Sequence, residues 1–115
     1  MDDRLQKALE FSNYNLTISN QKKNIKNRVN QLRIVHKNGG VFVAEPATIS
    51  FLKTLIELDS NSGVLIDSKD NPIKITDFGE LLDDLKSAYF NASNELEVEH
   101  EKLKKMRNIK KIMDW

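Results

Sequence analysis

The sequence predicts a mainly α protein of the α+β class, an antiparallel hairpin of two long helices with a small strand–helix–hairpin insert at its tip. Three observations predict it. Residues 2–38 repeat apolar side chains every seven positions with no proline or glycine before Gly39. Residues 77–113 carry a second seven-residue repeat. Between them both prolines and three of the four glycines punctuate short β-branched runs. Long seamed segments read as helices, and short runs between turn residues read as strands.

In the first helix Phe11, Ile18, Ile25 and Leu32 occupy one heptad position, with Tyr14, Gln21, Arg28 and Val35 as companions. One narrow apolar seam is the pattern of coiled-coil-like packing. Asn38-Gly39-Gly40 is read as the stop of this helix, because glycine takes the left-handed cap conformation without steric cost. His36 then falls in the last turn, where an imidazolium complements the helix dipole.

Residues 39–76 form the tip. Val41-Phe42-Val43 is a strand candidate. Pro46 suits the first turn of a helix, where its missing N–H costs nothing. Ile49, Leu52, Leu55, Ile56 and Leu58 follow at helical spacing. Val64-Leu65-Ile66 and Ile73-Lys74-Ile75 read as two more strands, joined by a polar turn at residues 67–72. Asp77 and Glu80 have the spacing of a capping box. The second long helix runs from there to Met113, with Leu82, Tyr89, Leu96 and Leu103 on one seam position. Leu85, Ala92, Met106 and Met113 take the other, and Glu99 interrupts it. Each helix would extend about 50 Å at ~1.5 Å per residue.

At 115 residues the chain is one domain by length, and 30% charged against 39% apolar suits long, exposed helices. The absence of cysteine excludes disulfides, thiolate zinc and cysteine nucleophiles. No apolar run approaches the ~20 residues of a membrane helix, and the N-terminus has no apolar signal region. A soluble intracellular protein is expected.

Asp67, Asp70 and Asn71 raise the question of a cation loop. The spacing argues against calcium: a loop beginning at Asp67 would place Lys69 in a ligand position and Pro72 where a glycine turn is needed. His36 and His100 are the only histidines, too few and too isolated for zinc or a di-iron bundle. Neither a phosphate-binding loop nor a nucleophile elbow occurs. No metal, cofactor, small-molecule substrate or catalytic residue is expected, and the chain reads as a non-enzyme.

Charge is segregated: residues 1–38 carry +5, residues 39–101 carry −9 and residues 102–115 carry +5. The C-terminal Lys102, Lys104, Lys105, Arg107, Lys110 and Lys111 surround apolar Leu103, Met106 and Ile109. With Lys22, Lys23, Lys26 and Arg28 they form candidate contacts for an acidic partner or for nucleic acid. A paired hairpin covers only one stripe of each helix. The seam residues Phe11, Ile18, Ile25, Leu32, Leu82, Leu85, Tyr89, Leu96 and Leu103 are therefore read as a surface for self-association or for a protein partner.

The layout of long helix, β-bearing tip and long helix resembles that of prefoldin subunits, chaperones whose paired helices project as tentacles. That likeness is one of plan, since prefoldin has no counterpart to the helix at Ile49–Leu58. The stretches LQKALEFSNY, TISFLKTLIELD, VLIDSKDNPIKI and EHEKLKKMRNIKKIMDW resemble small proteins of T4-like myoviruses of marine bacteria. This resemblance spans nearly the whole chain and brings no ligand-binding residue with it. It implies a phage protein made in the host cytoplasm, with a structural, assembly or chaperone-like accessory role that can include the virion. The alternative from another class is a small nucleic-acid-binding regulator using the basic helix faces.

Overall fold

The computed structural model describes the backbone of residues 3–113 and the side chains of residues 3–106. The chain is 68% helical, with three helices and two small antiparallel sheets. In order these are α1 (Asp3–Leu32), β1 (Ile34–Lys37), β2 (Gly40–Val43), α2 (Pro46–Glu57), β3 (Gly63–Ile66), β4 (Pro72–Ile75) and α3 (Phe78–Met113). The fold divides into two compact units, one of Val29–Glu95 and one of Met1–Arg28 with Leu96–Trp115.

The first helix ends at Leu32, short of the expected 38, and Ile34–Lys37 is a strand paired with β2. Lys37 faces Gly40, so Asn38 and Gly39 form a two-residue hairpin turn with φ of 51° and 82°. Two consecutive positive φ values define the turn whose twist matches a β-hairpin, and Asn-Gly is its preferred sequence. Asn-Gly therefore reverses a strand here and does not cap a helix. His36 accordingly lies on β1 opposite Val41 and not in a helix end.

The unit of residues 29–95 has a single apolar cluster of Phe42, Ala44, Leu52, Ile75, Phe78, Leu81 and Leu85. Leu52, Ile75, Leu81 and Leu85 are its largest fully enclosed side chains. Neither two-stranded sheet has enough surface to be stable alone, so each depends on the helices it covers. The compact unit thus takes in the start of α3 and the end of α1, and is wider than the expected 39–76 tip. Leu85 belongs to this cluster, and Leu82 and Tyr89 pack against it.

Local chemistry sets the element ends. Pro46 opens α2 as anticipated. The helix closes on Asp59, which takes the left-handed conformation with φ 65°. Asp59 N–H bonds Ile56 O at 3.0 Å and Ser60 N–H bonds Leu55 O at 2.9 Å, the paired bonds of a Schellman ending. At α3 the Asp77 carboxylate accepts Glu80 N–H at 3.1 Å, as the capping spacing predicts. The Glu80 carboxylate has another partner, Lys37 Nζ at 2.6 Å.

In the unit of residues 1–28 and 96–115, the buried side chains among the described residues are Ile18, Ile25 and Leu103. Arg28 and Glu99 form an ion pair at 3.0 Å.

Candidate protein-interaction surfaces

Asp67 is the one buried charged residue among those described. Its Oδ2 accepts Val41 N–H at 2.9 Å, and its Oδ1 accepts Lys69 N–H at 3.0 Å and Asn71 N–H at 2.8 Å. Ser68 returns two bonds to Val41 O, from its N–H at 2.9 Å and its Oγ–H at 2.8 Å. The Val41 N–H, followed by the other two amides, holds the Asp67 carboxyl below its ordinary pKa. The acid that suggested a cation loop is thus a backbone clamp between the β3–β4 turn and β2. No group of three or more His, Asp or Glu able to hold a metal occurs among the described residues.

Lys37 lies between Glu80 Oε1 at 2.6 Å and Asp84 Oδ2 at 3.4 Å, and the Glu80 bond leads the effects that raise its pKa. This pair of i, i+4 carboxylates anchors β1 to the first turns of α3.

Several of the expected basic contacts are answered within the chain. Glu99 pairs with Arg28 and with Lys102 at 3.3 Å, and Glu101 pairs with Lys104 at 3.5 Å. Lys22, Lys23, Lys26 and Lys105 are exposed. Arg107, Lys110 and Lys111 lie on α3, but their side chains fall outside the described residues.

The expected seam residues divide. Ile18, Ile25 and Leu103 are buried in one unit and Leu85 in the other. Leu82, Tyr89 and Leu96 are half-buried. Phe11 and Leu32 are exposed, at 61% and 42%.

Counting sevens missed a second apolar stripe on α1. Leu5, Leu9 and Leu16 are 52%, 47% and 61% exposed. At ~100° per residue they share one side of the helix, roughly 180° from Ile18 and Ile25. A helical-wheel projection is the sequence signal that reveals them.

Two grooves open on the unit of residues 29–95. One, of ≈ 290 Å³, has Phe42, Leu52, Leu81 and Leu85 among its lining, and Phe51, Val64 and Ile66 stand exposed around it. The other, of ≈ 470 Å³, lies between Pro46, Ile49, Ser50 and Lys53 of α2 and Leu82, Lys86, Tyr89 and Phe90 of α3. No described helix is long and apolar enough to cross a membrane. Comparison with protein-family models, curated proteins and solved structures finds no match for this chain.

Proposed function

We propose that the protein acts by binding and not by catalysis, as an assembly or chaperone-like accessory protein that self-associates through the outer face of α1. The observation that carries this reading is the Leu5, Leu9, Leu16 stripe. Ile18 and Ile25 are buried on the opposite side of α1, which leaves this stripe as apolar surface still to bury. The flanks of the stripe are Ala8, Ser12, Asn13, Ser19 and Asn20, so residues on this side carry no charge from Leu5 to Asn20. An uncharged face with small flanking side chains meets its own copy without repulsion. A two-fold pairing of identical faces is the commonest form of oligomer.

The same reading takes α1 and α3 as an antiparallel hairpin. In support, the groove around Arg28 and Glu99 is also lined by Ile25, Leu103, Gln21 and Met106. Side chains of both helices thus meet around the Arg28–Glu99 ion pair. The regulator that binds nucleic acid through Lys22, Lys23 and Lys26 draws less support, because the carboxylates of Glu99 and Glu101 stand among Arg28, Lys102 and Lys104, where they repel a phosphate backbone.

A cysteine-free chain makes a direct test available. Ser12→Cys places a single thiol beside the stripe, and Ser87→Cys places one on an exposed position of α3. A short bis-maleimide is expected to couple Ser12→Cys chains into dimers and leave Ser87→Cys chains uncoupled. Equal coupling of both variants contradicts the reading.

A further inference from the structure

The groove between α2 and α3 lies on the unit of residues 29–95 and has no part in the α1 reading. Its walls are one stripe of each helix. Ile49 and Lys53 are four apart on α2, and Leu82, Lys86, Tyr89 and Phe90 follow i, i+4, i+7, i+8 on α3. The floor is apolar and held from below: Leu82, Ile49 and Tyr89 pack on the Phe42–Leu85 core cluster. Tyr89 is further fixed by the Arg33 guanidinium 5.8 Å from its ring centre, and by Phe90 in an edge contact at 5.6 Å. Phe90 itself is 60% exposed and forms the rim. A rigid, supported aromatic wall with an exposed aromatic at its edge is how binding hot spots are built.

The charges select the ligand. Residues 29–95 hold ten Asp and Glu against six Lys and Arg, yet the groove lining includes Lys53 and Lys86 and no carboxylate. Lys53 reaches Glu57 only at 3.9 Å, with both side chains about two-thirds exposed. Such a contact is worth little and leaves the ammonium available. Lys86 makes no ion pair among the described residues.

We propose that this groove docks an amphipathic helix of another protein, with apolar residues on the Ile49–Leu82–Tyr89 floor and carboxylates against Lys53 and Lys86. The α2 wall from Pro46 to Lys53 is about 10 Å long, two turns of helix at ~1.5 Å per residue. That length matches the i, i+3, i+4, i+7 anchors of helix-in-groove recognition. A nucleic-acid backbone would set its phosphates over an apolar floor, which disfavours it here.

The test is a nuclear magnetic resonance titration of the full chain with a designed amphipathic peptide of about four turns. Its apolar stripe is leucine and its flanks are glutamate, and a control peptide has lysine at every glutamate. The expected result is saturable shifts of the Ser50, Lys53, Lys86 and Phe90 amides, with the acidic peptide bound at least ~10-fold more tightly than the basic one. Lys53→Glu with Lys86→Glu reverses that preference, and Phe90→Ala weakens both peptides. Absence of saturation, shifts centred on other residues, or a preference that survives charge reversal overturns the proposal. Leu9→Glu with Leu16→Glu leaves peptide binding unchanged, so failure here is distinct from failure of the α1 reading.

Discussion

The Asp67 carboxylate accepts the backbone N–H of Val41 at 2.9 Å, tying the turn of the second hairpin to the inner strand of the first. No backbone ladder joins β1–β2 to β3–β4, since each sheet has only two strands. One side chain, with Ser68 beside it, supplies the bonds that a third strand would otherwise make. Asn38 adds another link, its Nδ2 donating to Lys74 O at 3.0 Å.

Asp67→Asn is expected to destabilise the protein at neutral pH, because an amide offers one acceptor oxygen to three N–H donors. The pH dependence follows from the lowered pKa of Asp67. Its contribution is present above the ordinary value of 3.8 and is lost as pH falls through the lower folded value. Urea melts from about pH 2 to pH 7 should show the gap between the parent and Asp67→Asn closing toward acid. A gap that stays constant across that range counts against the clamp. Lys37 has the opposite sign: its raised pKa gives stability below 10.5 that is lost as pH rises through the folded value.

Gly40 is closed to any side chain. A Cβ there would lie 2.5 Å from Ile73 Cγ1 and 3.1 Å from Phe42 Cε2. Gly40→Ala should cost about 1–3 kcal/mol, the range for overpacking. Chemical denaturation of Gly40→Ala in an Ile73→Ala background should show a much smaller cost, because the clashing atom is gone. Equal costs in the two backgrounds would show that the contact between the hairpins is not the cause.

Leu85 and Phe11 are both seam residues in the heptad reading and separate in the fold. Leu85 is 0% exposed in the core cluster, so Leu85→Ala should lose about 2–5 kcal/mol. Phe11 is 61% exposed, and Phe11→Ala should fall within about 0.5 kcal/mol. Urea melts of the two variants measure both. Similar losses from both would indicate that the first helix is packed along its whole seam.

The nucleic-acid rival predicts binding that falls steeply with salt. With the carboxylates of Glu99 and Glu101 standing among Arg28, Lys102 and Lys104, no binding of duplex DNA or single-stranded RNA is expected at ~50 mM salt. Affinity at that salt, abolished by Lys22→Glu, Lys23→Glu and Lys26→Glu together, would favour the rival.

Most elements were legible from residue patterns. Proline at the start of α2, the Asp77 cap and the β3–β4 turn each follow from one strong local preference. The first strand was not legible, because Leu32 and Val35 continue the seven-residue repeat of α1 across its true end. Asn38-Gly39 signals a helix stop and a hairpin turn alike, and the tertiary partner decides between them. That partner is β2, whose Gly40 pairs with Lys37 across the turn. Asp67 showed itself as a polar turn residue, but its bond to Val41, 26 positions away, depends on packing that local sequence does not encode. The α1 stripe was hidden for a different reason. Leu5, Leu9 and Leu16 follow helical spacing on the side away from the repeat, and a heptad count follows one side only.

The most direct test of self-association is the molar mass of the purified chain by light scattering across a concentration series. The expected mass rises from 13.3 kDa toward an integral multiple of it. Leu9→Glu with Leu16→Glu should return the mass to the single-chain value while leaving helicity intact. A parent chain that stays at 13.3 kDa throughout the series, with the variant indistinguishable from it, would rule out self-association through α1.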